Sequence, residues 1–177
     1  AMDYTSMLLC VNELRSGSCN AALSLVENVI QLDDYNIVLG LKNLQSEVIW
    51  LQLSWHPTAA RIGTGFPPPR NEDNPYSFAA NLRASLKGLT LSNIVCTKSM
   101  ERIVCLEFKE RVSSPEIRWR LILEIQGSRS NLALVHGKGT PQHGDEGVIS
   151  ACAYQVGASA SSIRPLQTGN VYELPPN

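Results

Sequence analysis

No apolar run in this sequence approaches the roughly 18 residues that a membrane-crossing helix needs, so no membrane partner is expected. There is no CxxC pair, and the five cysteines are an odd number. Both facts speak against a zinc site and a disulfide framework and fit a reducing compartment. The three histidines, His56, His136 and His143, stand far apart with no cysteine or aspartate at ligand spacing. No metal is therefore expected. No serine sits in GxSxG. The stretch GKGTPQHGDEG lacks the GxxxxGK[ST] spacing of a phosphate loop and reads as a connection between strands. The carboxylate pairs Asp33-Asp34 and Asp145-Glu146 lie in turn-like segments, where turn chemistry explains them. Neither a cofactor nor a catalytic centre is expected. Charge is scarce as well: 18% of residues are charged, against about 25% in soluble proteins. That points to an extensive apolar surface facing neighbours. With a net charge of −1 there is no polybasic tail, so a nucleic-acid surface must be a local patch.

What is present suits one domain over residues 1–177. A chain of this length, 44% hydrophobic, can bury a core without disulfides or metals. Thr5 or Ser6 can cap a first helix, with Met7, Val11 and Leu14 as its apolar stripe and Gly17 as its end. AALSLVENVI, NIVLGL and EVIWLQLSW prefer strand. A proline-rich loop, GTGFPPPRNEDNP, covers residues 63–75. Asn74 as N-cap and Pro75 at the first turn then start a second helix. That helix buries Phe78, Leu82 and Leu86, and Gly88 closes it. Arg83 and Lys87 share its other face. LTLSNIVCT, RIVCLEFKE, IRWRLILEIQ and NLALVHG follow as strands joined by short turns, an antiparallel meander. VISACAYQV fits strand or helix, and the C-terminal stretch reads as coil. The class is α+β: an antiparallel β-sheet or β-sandwich with two helices.

One position breaks the pattern. Val104, Leu106 and Phe108 share a face at period two, and counting back lands on Arg102. An arginine at a hairpin mouth can pack its stem on the apolar row and keep its head in water. It can equally be a planar donor held rigidly for a phosphate or a base edge. Glu101 beside it points to the opposite face and could accept from exocyclic amines. The residues by themselves leave both readings open.

Several fragments, in order, resemble the N-terminal domain of the NFACT family. They are Asp3 in MDYTSM, LSWHPTAARI, FAANLRASLKG, ERIV, LEIQGSRSNLAL and IRPLQTGNVYELPP. Glu101 replaces the family's usual aspartate, and Ser128, followed by Arg129, stands where the family has a base. The Glu-Arg pair and the PPPR loop look most like the cyanobacterial and plastid branch. That implies the chloroplast stroma, with the cytoplasm as the alternative. The resemblance implies a fold similar to the N-terminal β-sandwich of formamidopyrimidine DNA glycosylases, without their N-terminal proline nucleophile. It implies tRNA as partner, and the large ribosomal subunit as partner of the full-length protein. The activity implied is C-terminal alanine tailing of stalled nascent chains in ribosome-associated quality control. The residues it marks are Glu101 and Arg102, then Arg61, Arg83, Lys87, Arg129 and Asn131, with Asp3 as a further candidate. A glycosylase-like nucleic-acid enzyme and a fibronectin-binding surface adhesin are the alternatives.

Overall fold

The computed structural model describes residues 2–16, 23–69, 76–96, 102–136, 147–154 and 166–173. Helix α1 (Tyr4–Ser16) leads into strands β1 (Ser24–Gln31), β2 (Asn36–Lys42), β3 (Val48–Ser54) and β4 (Arg61–Thr64). Helix α2 (Ser77–Leu86) follows, then β5 (Thr90–Cys96), β6 (Ile103–Lys109) and β7 (Trp119–Glu124). A 3-10 turn (Gly127–Arg129) precedes β8 (Asn131–His136) and β9 (Val148–Cys152).

All nine strands form one antiparallel sheet in the order β4-β3-β2-β1-β5-β6-β7-β8-β9. Of the two expected forms, sheet or sandwich, the strands thus make one continuous antiparallel sheet with two halves. The halves meet through a short ladder between β1 and β5, Ser24 opposite Leu91 and Leu25 opposite Thr90. Past it the strands diverge, and the two halves turn their apolar faces to one core. Ile37, Leu39, Leu51 and Leu53 enter it from one half, and Leu106, Phe108, Leu121 and Leu134 from the other. Each fully buried aliphatic side chain of this kind contributes about 1.5–3 kcal/mol. Helix α1 packs on β4 and β5, and α2 packs on β1 and β9. Each helix therefore bridges the two halves of the sheet.

The helices bury the residues their spacing predicts. Met7, Val11 and Leu14 of α1 are in the core, as are Phe78, Ala79, Leu82 and Leu86 of α2. Their N-termini differ from expectation. Asp3, not Thr5 or Ser6, caps α1: its Oδ1 accepts the Ser6 N–H at 2.7 Å. Helix α2 begins at Ser77 after an extended Tyr76 that makes no side-chain cap bond. The expected cap and first turn, Asn74 and Pro75, lie outside the described residues, as does Gly17. Gly88 ends α2 with φ +89°, a conformation that favours glycine. The expected loop takes in the second half of strand β4, Gly63 and Thr64, because the strand has four residues and only Ile62 to mark its inner face. The loop starts after Thr64. Of VISACAYQV, Val148–Cys152 forms strand β9.

The second half of the sheet is covered on both faces. Ile103, Cys105, Ile122, Ala133, Val135 and Ile149 form a second buried cluster with Leu166 and Tyr172. The segment carrying Leu166 and Tyr172 lies over the outer face, bridging Val171 to Val148. The polar residues that alternate along β6 and β7 are consequently buried. Glu107 and Arg120 are 5% and 3% exposed and approach to 3.7 Å. Glu124 accepts a hydrogen bond from the Tyr172 hydroxyl at 2.5 Å.

Candidate nucleic-acid interface

Three connections and the N-terminal segment meet at one end of the folded sheet. Ile125 N–H donates to the Arg102 carbonyl at 2.8 Å, which sets Arg102 one residue before β6. Arg102 Nη1 donates to the Met2 carbonyl at 3.0 Å. Met2 N–H in turn donates to the Ala60 carbonyl at 3.2 Å, at the end of the β3–β4 connection. That connection also reaches the β7–β8 turn: a β-carbon placed on Gly127 would lie 4.0 Å from the Pro57 carbonyl oxygen. Gly127 has φ +57°, so the turn can pass close to Pro57 with no side chain in the way. His56, next to Pro57, packs edge-on against Tyr35 of the β1–β2 turn, with ring centroids 5.0 Å apart.

Arg102 is therefore half-buried at the rim of its apolar row and tied to the N-terminal backbone. Asp3 is exposed beside it. Hydrogen bonds from Ser6 hold the Asp3 carboxyl below its ordinary value, and the Arg102 charge adds to this. A carboxylate at a helix N-terminus also meets the positive end of the helix dipole. Arg129 is exposed in the 3-10 turn, two residues before Asn131. Its guanidinium has no partner among the described residues.

The other candidate residues fall elsewhere. Glu101 lies outside the described residues, and so does its expected direction on the strand. Arg61 follows Ala60 directly, but its guanidinium lies over Gly63, in the space a β-carbon there would take. Nη1 donates to Gln52 Oε1 at 3.2 Å, on the outer face of the first half-sheet. Arg83 Nη2 donates to the Val29 carbonyl at 2.8 Å and so helps dock α2 on β1. Lys87 is exposed at the C-terminal end of α2. Strand β5 runs from that end to the Arg102 end, a distance of about 20 Å for seven residues. The structure thus groups Asp3, Arg102 and Arg129 and leaves Arg83 and Lys87 apart.

Asn131 is 2% exposed and its amide is fully engaged. Oδ1 accepts the Leu132 and Tyr154 N–H groups at 2.9 and 3.0 Å, and Nδ2 donates to the Tyr154 carbonyl at 2.7 Å. It is neither a loose turn residue nor a surface donor. Sequence reasoning passed over Tyr35 and Tyr154, both exposed aromatics at this end. Nothing in alternation or spacing separates an exposed tyrosine from a core one. Among the described residues no group of three or more metal-ligating side chains forms.

The fold and the ordered fragments place this molecule among α+β domains of one family. The family model "NFACT N-terminal and middle domains" matches residues 3–177, and the chain belongs to this family. It is similar to the protein named "Rqc2 homolog RqcH" of Streptococcus pneumoniae, 31% identical over 169 residues. That alignment covers 94% of this chain and 28% of the relative. The chain thus spans under a third of the length of the curated relatives it matches. Among solved structures, the N-terminal domain of fibronectin-binding protein PavA from Streptococcus pneumoniae superposes with a TM-score of 0.82 at 26% identity. It covers all of this chain and 63% of that one. The N-terminal part of the fibronectin/fibrinogen-binding protein of Streptococcus suis superposes at 0.81 and 26%, covering 100% of this chain and 62% of that one.

Proposed function

We propose that this domain is the tRNA-binding module of a ribosome-associated quality-control factor. In that setting the full-length protein engages obstructed large ribosomal subunits and promotes C-terminal alanine tailing of stalled chains. The observation that carries the reading is the fixed position of Arg102. A guanidinium tied to the N-terminal backbone, beside an exposed Asp3 and near an exposed Arg129, is a preorganised donor set for phosphate or a base edge. The module binds; chemistry belongs to its partners. Kinship with the glycosylase N-terminal sandwich is read here as one of fold alone. The plastid setting rests on the Glu101-Arg102 pair and the PPPR loop, and import of a tagged full-length precursor tests it.

The test is tRNA affinity across a salt series. A small patch neutralises few phosphates, so log K should fall with log salt at about −0.7 to −0.9 per phosphate contacted, with few contacts. Equal affinity for tRNA and for a random acidic polymer would count against recognition. The similar structures of fibronectin- and fibrinogen-binding proteins favour a second reading, an adhesin. Fibronectin binding measured beside tRNA binding separates the two.

A further inference from the structure

Resting on the tRNA reading, we propose that Tyr154 is a stacking platform for an unpaired base of the bound RNA, and that Asn131 exists to position it. Tyr154 is 67% exposed, so its burial adds little to the fold. Its backbone is nonetheless fastened at both polar groups by one buried side chain. Asn131 Oδ1 accepts the Tyr154 N–H at 3.0 Å, and Nδ2 donates to the Tyr154 carbonyl at 2.7 Å. Ala153 N–H continues the same edge by donating to the Leu132 carbonyl at 2.9 Å. A single exposed aromatic is unremarkable by itself. A buried amide that spends both ends on the backbone of an exposed aromatic is a different matter. It fixes where the ring leaves the surface, so stacking on it costs less ordering than stacking on a mobile loop. Phe66 makes the contrast: it is more exposed, at 89%, and stands in the proline-rich loop, with no such clamp among the described residues.

The surroundings name the occupant. Asn131 follows Arg129 by two residues, so ring and guanidinium are presented from adjoining strand ends. Arg102 is on the same edge, since Glu124 pairs with both Ile103 and Asn131 across β6, β7 and β8. A planar ring on the same sheet end as the exposed Arg129 and the half-buried, backbone-tied Arg102 suits a base with its phosphate. Proteins bind single-stranded RNA in this way, by stacking on aromatics with arginine along the backbone. The unpaired loops of a tRNA supply such bases, and a continuous duplex does not.

The experiment uses this chain, tRNA and a short single-stranded RNA carrying 2-aminopurine, whose fluorescence is quenched on stacking. Tyr154→Ala should weaken tRNA binding by about tenfold and abolish the quenching, with unchanged melting. Tyr154→Trp should keep both. Asn131→Asp retains an acceptor for the Tyr154 N–H and loses the donor to its carbonyl. It should weaken binding in the wild-type background and add nothing to Tyr154→Ala, the non-additivity of a residue acting through another. If Tyr154→Ala binds tRNA like wild type, this inference falls and the tRNA reading stands. If wild type binds no tRNA, both fall. If Tyr154→Ala loses fibronectin binding and keeps tRNA, the ring serves a protein and the proposal is overturned.

Discussion

Glu124 and Arg129 are five residues apart, and their surroundings are opposite. Glu124 lies on the outer face of β7, under the Tyr172 segment, hydrogen-bonded to its hydroxyl. Arg129 lies one turn further along, in water. The same contrast separates the whole outer face of β6–β8 from the end of the sheet. On the face, Glu107, Arg120, Glu124 and Asn131 are buried and meet partners from the fold. At the end, Asp3 and Arg129 reach solvent, while Arg102 is half out. A charge taken out of water costs several kcal/mol unless a partner offsets it. A charge left in water contributes little to stability and stays available to a ligand. Burial, more than residue type, therefore decides which polar groups stay available to a ligand. The buried charges should govern melting, and the exposed groups, with Asn131 acting through the Tyr154 it holds, should govern tRNA affinity.

The largest expected effect breaks the buried set. Burial pushes the Glu107 carboxyl up, and the Arg120 charge opposes that rise. Glu107→Ala removes the carboxylate facing Arg120 and should destabilise by about 3–5 kcal/mol. For a domain of this size the melting temperature would drop on the order of 10 °C. Replacing both partners by methionine should be close to neutral, because removing the pair also removes its desolvation cost. Thermal melting checks both. If Glu107→Ala melts normally, water reaches this face and the contrast with the exposed end collapses. Below its melting point the variant should bind tRNA as wild type does.

Much of the architecture was legible in the sequence. Val104, Leu106 and Phe108 alternate and all three enter the core. Met7, Val11, Leu14 and Phe78, Leu82, Leu86 follow the helix period and are buried. Period was enough for the helices because one wet face and one dry face leave a pattern, and in β6 the alternation still separated the row that enters the main core from the one on the other face. The second cover was not legible. Ile103 and Cys105 on the other side of β6 are buried with a segment more than fifty residues later, which had read as coil. Local pattern carries no information about such a long-range cover. Strand β4 was too short to show a period. The candidate site was partly legible: Arg102 stood out because it interrupts a row, and the structure puts it at the rim. Asn131 drew attention through family resemblance, but its contact with Tyr154 spans 23 residues and no spacing rule reaches it. Arg83 looked like a free basic residue because a backbone carbonyl partner, Val29, is invisible in a string of side chains.

A middle-sized effect tests the half-buried case. Arg102→Ala removes one hydrogen bond to the Met2 carbonyl and some stem packing. In a partly solvated site this should cost the fold about 1 kcal/mol. Loss of a charge-assisted contact to RNA should cost more, about 1–3 kcal/mol of tRNA affinity. Glu101→Gln keeps shape and removes charge, and Glu101→Asp restores the commoner family residue and should remain functional. Melting beside tRNA affinity decides the matter. An Arg102→Ala protein that melts far below wild type, or that melts normally and binds tRNA as tightly, would make Arg102 a purely structural rim residue.

The smallest expected effect concerns Asp3, which belongs to the exposed end and yet has a task in the fold. Its Oδ1 caps α1, and its carboxyl titrates below the ordinary 3.8 because Ser6 donates to the ionised form, with Arg102 as a weaker influence. A carboxyl whose folded pKa is depressed adds stability above its unfolded pKa and loses it as pH falls through the folded one. Asp3→Ala should therefore lower the melting temperature by a few degrees at pH 7. The gap between variant and wild type should narrow below about pH 4, as the wild-type cap protonates. Asp3→Asn keeps an acceptor for the Ser6 N–H and should restore most of the melting temperature without the pH dependence. Melting of the three proteins from pH 3 to pH 7 distinguishes the cap from the neighbouring Arg102. A gap that stays constant with pH would mean that charge at this cap contributes nothing. In that case Asp3 would hold the helix through its hydrogen bond alone, and tRNA affinity of Asp3→Asn would report separately on any task of its charge at the RNA surface.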